Sequence, residues 1–271
     1  MSANLIYSEW REDNKHILEG LAGKNIISLF SGGKDSSVVM HFLLKAGQEF
    51  EFDFESHAAA FPAHRYTDAE KNRIESYWQN RGKNITWNDV SASDDDLRKS
   101  ENPCYPCQEV RKKLLKSFLT GSIEDWNRLV LIVSYSLSDI VSYAVEYLLG
   151  DIFSNNVKRE GAEESKRYKE TAQRFYPLLK MKEGYSVFRP LIKLNNDDIL
   201  NVIEQENIPI LSIPCEFKDY RPKRILQNYY QRMDLRFEYN QLFEFAKKSL
   251  DLPDISSYSD IEKEEYLHRL F

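Results

Sequence analysis

Residues 25–39, NIISLFSGGKDSSVV, constrain this chain more than any other stretch. A short apolar, β-branched run of the kind buried in a parallel sheet leads into two adjacent glycines, a lysine and an acid, and then into helical spacing. A strand that enters a helix through glycines makes a pocket of backbone N–H groups at a helix N-terminus. The helix dipole favours an anion there, and the glycines permit close approach and positive φ. Such a pocket suits phosphate. Ser31, Ser36 and Ser37 offer hydroxyl donors, and Lys34 offers a charge. The GxxxxGK(S/T) pattern of the ordinary P-loop NTPases is not met, because one residue precedes the glycine pair and Asp35 follows the lysine.

The same alternation continues along the chain. Residues 6–22 have helical apolar spacing, with Gly23 placed to end them; residues 36–47 read as a helix closed by Gly47. Strands are expected at 52–61, 84–90 and 128–135, and helices at 66–81, 108–119 and 138–153, with an acidic loop at Asp94, Asp95 and Asp96. Strands alternating with helices of this length predict an α/β fold with a doubly wound parallel sheet. Residues 157–176 are rich in charge and read as a solvated helix or insert. YSVFRPLIKL is a strand cut short by Pro190, and NNDDILNVIEQEN is a helix with an Asn/Asp cap. The expected organisation is an N-terminal helix (1–23), a nucleotide domain (24–224) and a helical C-terminal extension (225–271).

At 271 residues and 42% hydrophobic, the chain can bury a sizeable core. No apolar run approaches the roughly 20 residues of a membrane span, and the start is too charged for a secretory signal, so no membrane partner and a cytoplasmic location are expected. The net charge of −6 argues against a general nucleic-acid binder. Basic residues nonetheless cluster locally: Arg111, Lys112, Lys113 and Lys116 in one stretch, and Lys218, Arg221, Lys223, Arg224, Arg232 and Arg236 in another, interleaved with Tyr220, Tyr229 and Tyr230. That patch fits RNA gripped by phosphate contact and stacking, a small nucleobase-like substrate, or a solvated helix face.

Three cysteines, Cys104, Cys107 and Cys215, are an odd count that favours metal binding or thiol chemistry over disulfides. Cys104 and Cys107 stand at the start of a helix, where the dipole and Arg111, Lys112 and Lys113 favour the thiolate. Three thiolates leave a tetrahedral zinc site incomplete, whereas three can hold a 4Fe-4S cluster with one iron open.

SGGKDS resembles the PP-loop signature of the N-type ATP pyrophosphatases, over about residues 24–150. The resemblance implies an adenine nucleotide alpha hydrolase-like fold that cleaves ATP between the α and β phosphates, transfers AMP to a substrate oxygen and releases pyrophosphate. Ser31, Gly32, Gly33, Asp35 and Ser36 would line the pyrophosphate and Lys34 would neutralise it. In FPAHRY, Ala60 and Phe61 would lie near the nucleotide, and Asp35 and Asp139 would help hold Mg2+. With CYPC, VFRPLIKL and IPILSIPC in that order, the chain further resembles the tRNA-cytidine 2-sulfurtransferase (TtcA-like) group. That implies Cys104, Cys107 and Cys215 as ligands of a 4Fe-4S cluster whose open iron carries a sulfide that attacks the adenylated base. Implied partners are tRNA or a small nucleobase-like molecule, a sulfur donor such as sulfide or a cysteine desulfurase, and a second copy in a homodimer. One departure is SYSLSD (134–139), which keeps only Asp139 of the group's Gly-His-X-X-Asp-Asp segment.

The alternatives are a cluster-free thiolase, in which Cys104 or Cys107 carries a persulfide that Cys215 resolves, and a zinc-stabilised nucleic-acid-binding module. A sulfonucleotide reductase of the same superfamily needs a redox cysteine near the C-terminus, and none follows Cys215. His41 reads as a packing residue, His57 and His64 border the second strand, and residues 237–245 read as packing for the C-terminal helix.

Overall fold

The structure, a computed structural model, describes residues 1–149, 172–182, 184–259 and 261–263. In chain order its elements are α1 (Ala3–Leu18), β1 (Asn25–Phe30), α2 (Lys34–Phe50), β2 (Glu55–Ala60), α3 (Asp68–Gln79), β3 (Thr86–Asp89), α4 (Asp94–Arg98) and α5 (Cys104–Ser122). There follow β4 (Leu129–Ile132), α6 (Leu137–Leu149), β5 (Leu178–Lys180), β6 (Ser186–Phe188), α7 (Asn196–Gln205), α8 (Pro222–Arg232), α9 (Tyr239–Ser249) and α10 (Ser256–Ser259).

The strands form one sheet in the order β3-β2-β1-β4-β6-β5, parallel throughout except for the β5–β6 pair. In β1, Ile26 and Phe30 face one way and Ile27 the other; in β4, Val130 and Ile132 oppose Leu129 and Leu131. Both faces are therefore covered, which is why these strands read as continuous apolar runs. One face packs against α1, α2 and α7, with Trp10 donating to the Pro190 carbonyl at 2.7 Å. The other packs against α6 and α9. Strand order reverses between β1 and β4, and the crevice outside their carboxyl ends is where this architecture places ligands.

Several boundaries differ from the sequence reading. Gly47 does not end α2; the helix runs on to Phe50, and Glu51 takes the left-handed conformation at φ 57°. A Cβ on Gly47 would lie 2.6 Å from the Phe52 carbonyl, so the glycine serves a close backbone approach rather than a cap. Helix α5 starts at Cys104, not at 108, and so carries both cysteines in its first turn. Residues 150–153 and 157–171 of the expected helix and charged segment lie outside the described residues, while Phe175 just after them is buried in the second core. Tyr239, Leu242 and Phe243 of the 237–245 run pack on that core. Position 225 falls inside α8, which packs on α6.

Candidate functional site

The turn after β1 is built by its serines. Ser36 Oγ donates to the Gly33 carbonyl (3.0 Å) and accepts from the Ser31 amide (3.1 Å), and it lies 3.1 Å from Ser31 Oγ. Gly32 sits at φ +67°, and a Cβ there would meet Leu211 Cγ at 2.8 Å, so both torsion and space require glycine. The Leu211 amide in turn donates to the Gly32 carbonyl at 2.8 Å. Tyr66 Oη caps the Ser31 carbonyl at 3.1 Å. Gly33 ends the turn in extended conformation as the N-cap of α2, and Lys34 pairs with Asp35 at 2.6 Å. Ser37 points elsewhere: it is fully buried and does not line the cleft.

Asp139, in the first turn of α6, is buried and its oxygens are engaged. Oδ1 takes Lys223 Nζ at 2.5 Å and Gln227 Nε2 at 2.6 Å, and Oδ2 takes the Ser136 amide at 3.0 Å. Burial alone would raise this carboxyl; Lys223, the Ser136 amide and Lys34 outweigh it and hold the group below the usual carboxylate range. Burial works against the Lys223 cation, and Asp139 more than restores it. Lys223 also faces the rings of Tyr135 (5.6 Å) and Tyr143 (5.5 Å). Burial lifts the Tyr143 hydroxyl to about 12, whereas at Tyr135 burial is overcome by Arg174, Lys223 and Arg189, and its hydroxyl lies below the ordinary tyrosine value.

All three cysteines are free; Cys104 and Cys107 are buried and Cys215 is half-buried. Cys107 packs in a small apolar cluster with Phe61, Leu97 and Phe217, against which Cys215 also lies. Arg221 lies near all three: burial opposes its charge, but the neighbouring Cys104, Cys215 and Cys107 sulfurs outweigh it and raise the guanidinium above its ordinary value. The thiolate expected from the helix dipole is not the outcome at Cys107. There burial pushes the thiol up, against the opposing pull of Arg111 and Arg221. In donor chemistry the trio fits an iron-sulfur cluster, being three soft sulfurs with no disulfide among them. Among the described residues, no three His, Cys, Asp or Glu side chains stand as a ready-made metal group, so ligation requires the thiols to draw together.

These features meet in one cleft of about 650 Å³ at the carboxyl ends of β1, β2 and β4. Ser31, Gly33, Lys34, Asp35, Phe61 and Asp139 line it, and so does Cys215. Gly32, Ser36 and Ala60 stand behind that lining, Ser36 and Ala60 buried, as do Cys104 and Cys107. Seven Lys or Arg side chains line it against two Asp, so an anionic ligand is favoured even though the chain as a whole is acidic. Much of the basic cluster faces inward: Arg111, Lys218, Arg221, Lys223 and Arg224 line the cleft, and Tyr230 is buried while Tyr220 and Tyr229 are exposed. Gln227 was not legible as a site residue. Its signal is the i, i+4 spacing from Lys223 behind Pro222, which places both on one face of α8. His57 lines the apolar end of the cleft, 4.1 Å between ring centroids from Phe118, and His41 is buried away from it.

No protein-family profile and no curated protein matches the sequence. Among solved structures, the chain is similar to the U34-tRNA thiolase NcsA from Methanococcus maripaludis with its 4Fe-4S cluster. The TM-score is 0.66 at 14% identity, over 96% of this chain and 88% of that one. The two share a fold. It is the mostly parallel α/β architecture that the alternation of elements predicts. NMN synthetase from Francisella tularensis is a weaker likeness, with a TM-score of 0.44 at 10% identity over 100% of this chain and 92% of that one.

Proposed function

We propose that the protein is an ATP-dependent thiolation enzyme that adenylates a carbonyl oxygen of a nucleobase, in tRNA or in a small nucleobase-like molecule, and replaces that oxygen with sulfur. One observation carries this reading: the glycine turn and Cys215 line the same basic cleft. The resemblance of SGGKDS and the cysteine spacing to the TtcA-like sulfurtransferases supports it, as does the fold shared with a tRNA thiolase.

In this reading the N-terminus of α2, with Ser31 and Gly33, binds the phosphate end of ATP. Lys34 supplies positive charge where the pyrophosphate leaving group gathers negative charge, and Lys223, held by Asp139, supplies more. With its oxygens engaged, Asp139 would act through Lys223, and Asp35 would help hold Mg2+ with the nucleotide. Attack by the substrate carbonyl oxygen on the α phosphorus releases pyrophosphate; attack by sulfur on the activated carbon then expels AMP. A 4Fe-4S cluster held by Cys104, Cys107 and Cys215 would supply an open iron able to carry that sulfur. The cleft walls hold the two reactants together.

Anaerobic purification with iron and sulfide analysis, followed by assays of AMP, pyrophosphate and thiolated nucleosides, tests the reading. Cys215→Ala loses cluster and thiolation together, whereas Asp35→Ala keeps the cluster and loses AMP formation. A full cluster in Cys215→Ala rejects the ligand assignment. Colourless, iron-free protein that still thiolates selects the persulfide route through the same cysteines, and stoichiometric zinc with no ATP turnover selects the nucleic-acid-binding module.

A further inference from the structure

Residues 208–215, which carry Cys215, form no helix or strand, and their backbone is tied down by side chains of residues 64–73. Arg73 donates to the Ile210 carbonyl (2.6 Å), Glu70 accepts from the Ser212 amide (2.8 Å), and Arg65 donates to the Ile213 carbonyl (3.1 Å). The last tie is the one nearest the thiol: the Glu216 amide donates to His64 Nε2 at 3.1 Å. Since Nε2 accepts, the ring proton sits on Nδ1, which donates to Asp94 Oδ2 at 2.8 Å. Asp94 also accepts from the Ala63 and His64 amides, both at 2.8 Å. Imidazole and carboxylate are both shielded, with side-chain exposures of 13% and 10%.

We propose that His64, oriented by Asp94, is the positioning residue that fixes Cys215 at the rim of the cleft. The bond to the Glu216 amide holds the N–H side of the peptide plane between Cys215 and Glu216, whose carbonyl side accepts from the Lys218 amide at 3.2 Å, and the two together set the direction in which Cys215 projects its sulfur. His64 itself does not line the cleft, so it acts through the backbone it holds. The bidentate contact of Arg98 with Glu216 (2.9 and 3.2 Å) ties the same residue to α4 but is exposed, and it contributes little alone. The sulfur-handling role of Cys215 rests on the function proposed above; the positioning does not.

The test is mass-spectrometric alkylation of the full chain by iodoacetamide, with amide exchange at Glu216 followed in parallel. His64→Asn keeps a donor toward Asp94 and loses the acceptor for Glu216, whereas His64→Gln keeps an acceptor at the reach of Nε2. Loss of one shielded hydrogen bond predicts that His64→Asn speeds both Cys215 alkylation and Glu216 exchange roughly fivefold to tenfold. His64→Gln stays within about twofold of the native protein by the same reasoning, and Cys107 is unchanged in both. If His64→Asn fails to fold, Asp94→Asn reads the same tie with a smaller increase at Cys215. Native rates at Cys215 in the folded variant, or equal acceleration of all three cysteines, overturn the proposal. Absence of AMP formation in the native protein counts against the proposed function and leaves this result standing.

Discussion

Lys223 Nζ lies 2.5 Å from Asp139 Oδ1, so a cation delivered by α8 is held at the cleft by a buried carboxylate delivered by α6. Neither charge stands well without the other. Removing Lys223 leaves the buried Asp139 carboxylate uncompensated, whereas removing Asp139 leaves a cation that the open cleft can solvate in part.

Asp139→Ala orphans the Ser136 amide and the Gln227 and Lys223 donors and is expected to lose about 1–3 kcal/mol of stability by urea titration. The double variant Asp139→Leu with Lys223→Met recovers most of that loss while remaining unable to form AMP. Equal instability of the single and double variants would show that the helices, not the ion pair, carry the effect.

Acid weakens the fold in two windows. Burial holds the His41 imidazole below its ordinary 6.5, so the unfolded chain takes up the proton first and stability falls as pH drops below 6.5 through the lower native value. Asp139, Asp94 and Glu70 are held below their ordinary values by their partners, in each case against burial. Their contribution is complete above the ordinary 3.8 of an aspartate or 4.5 of a glutamate and is lost as pH falls from there through the native values. His41→Gln should flatten the first window and leave the second; denaturant midpoints across pH 7 to 3 read both.

Gly32→Ala meets two obstacles, a positive φ and the Leu211 side chain 2.8 Å from the new Cβ. The torsion alone costs about 1–2 kcal/mol. ATP affinity measured by calorimetry should fall at least roughly tenfold, equivalent to about 1.4 kcal/mol. Leu211→Ala in the same chain relieves the contact and restores only part of the loss. Full restoration would show that the torsion is not strained.

Glu70→Ala leaves the Ser212 amide and hydroxyl and the Arg73 guanidinium without their shared acceptor. A loss of about 1–3 kcal/mol is expected, with faster amide exchange at Ser212 and no change at Ala246, which packs on the other face of the sheet. Uniform acceleration at both positions would mean a global effect.

What the sequence revealed was local. The bounds of β1 and the glycine turn are stated by NIISLF and SGG, since a buried parallel strand and a positive φ each leave a mark on adjacent residues. The parallel character of the sheet followed from the alternation of elements; its strand order and the antiparallel β5–β6 pair did not. The pairing of Asp139 with Lys223 and Gln227 could not be read, because it depends on how α6 packs on α8 across more than eighty residues. The same is true of the ties from residues 64–73 to the Cys215 segment, where ordinary surface-type side chains satisfy a backbone with no ladder of its own. Cys107 departs from its expected ionisation because burial is a property of the folded neighbourhood, and a helix dipole read from sequence does not include it.

The sheet is bounded by two very short strands, four residues in β3 and three in β5, the latter running against its neighbour. Margins this brief give an incoming strand too little length to zip onto, which guards the chain against edge-wise aggregation. Self-association by this molecule would accordingly have to be side chain against side chain, across helical surfaces such as the solvent-facing row of Ile225 and Tyr229 on α8 with Met233 at its C-cap.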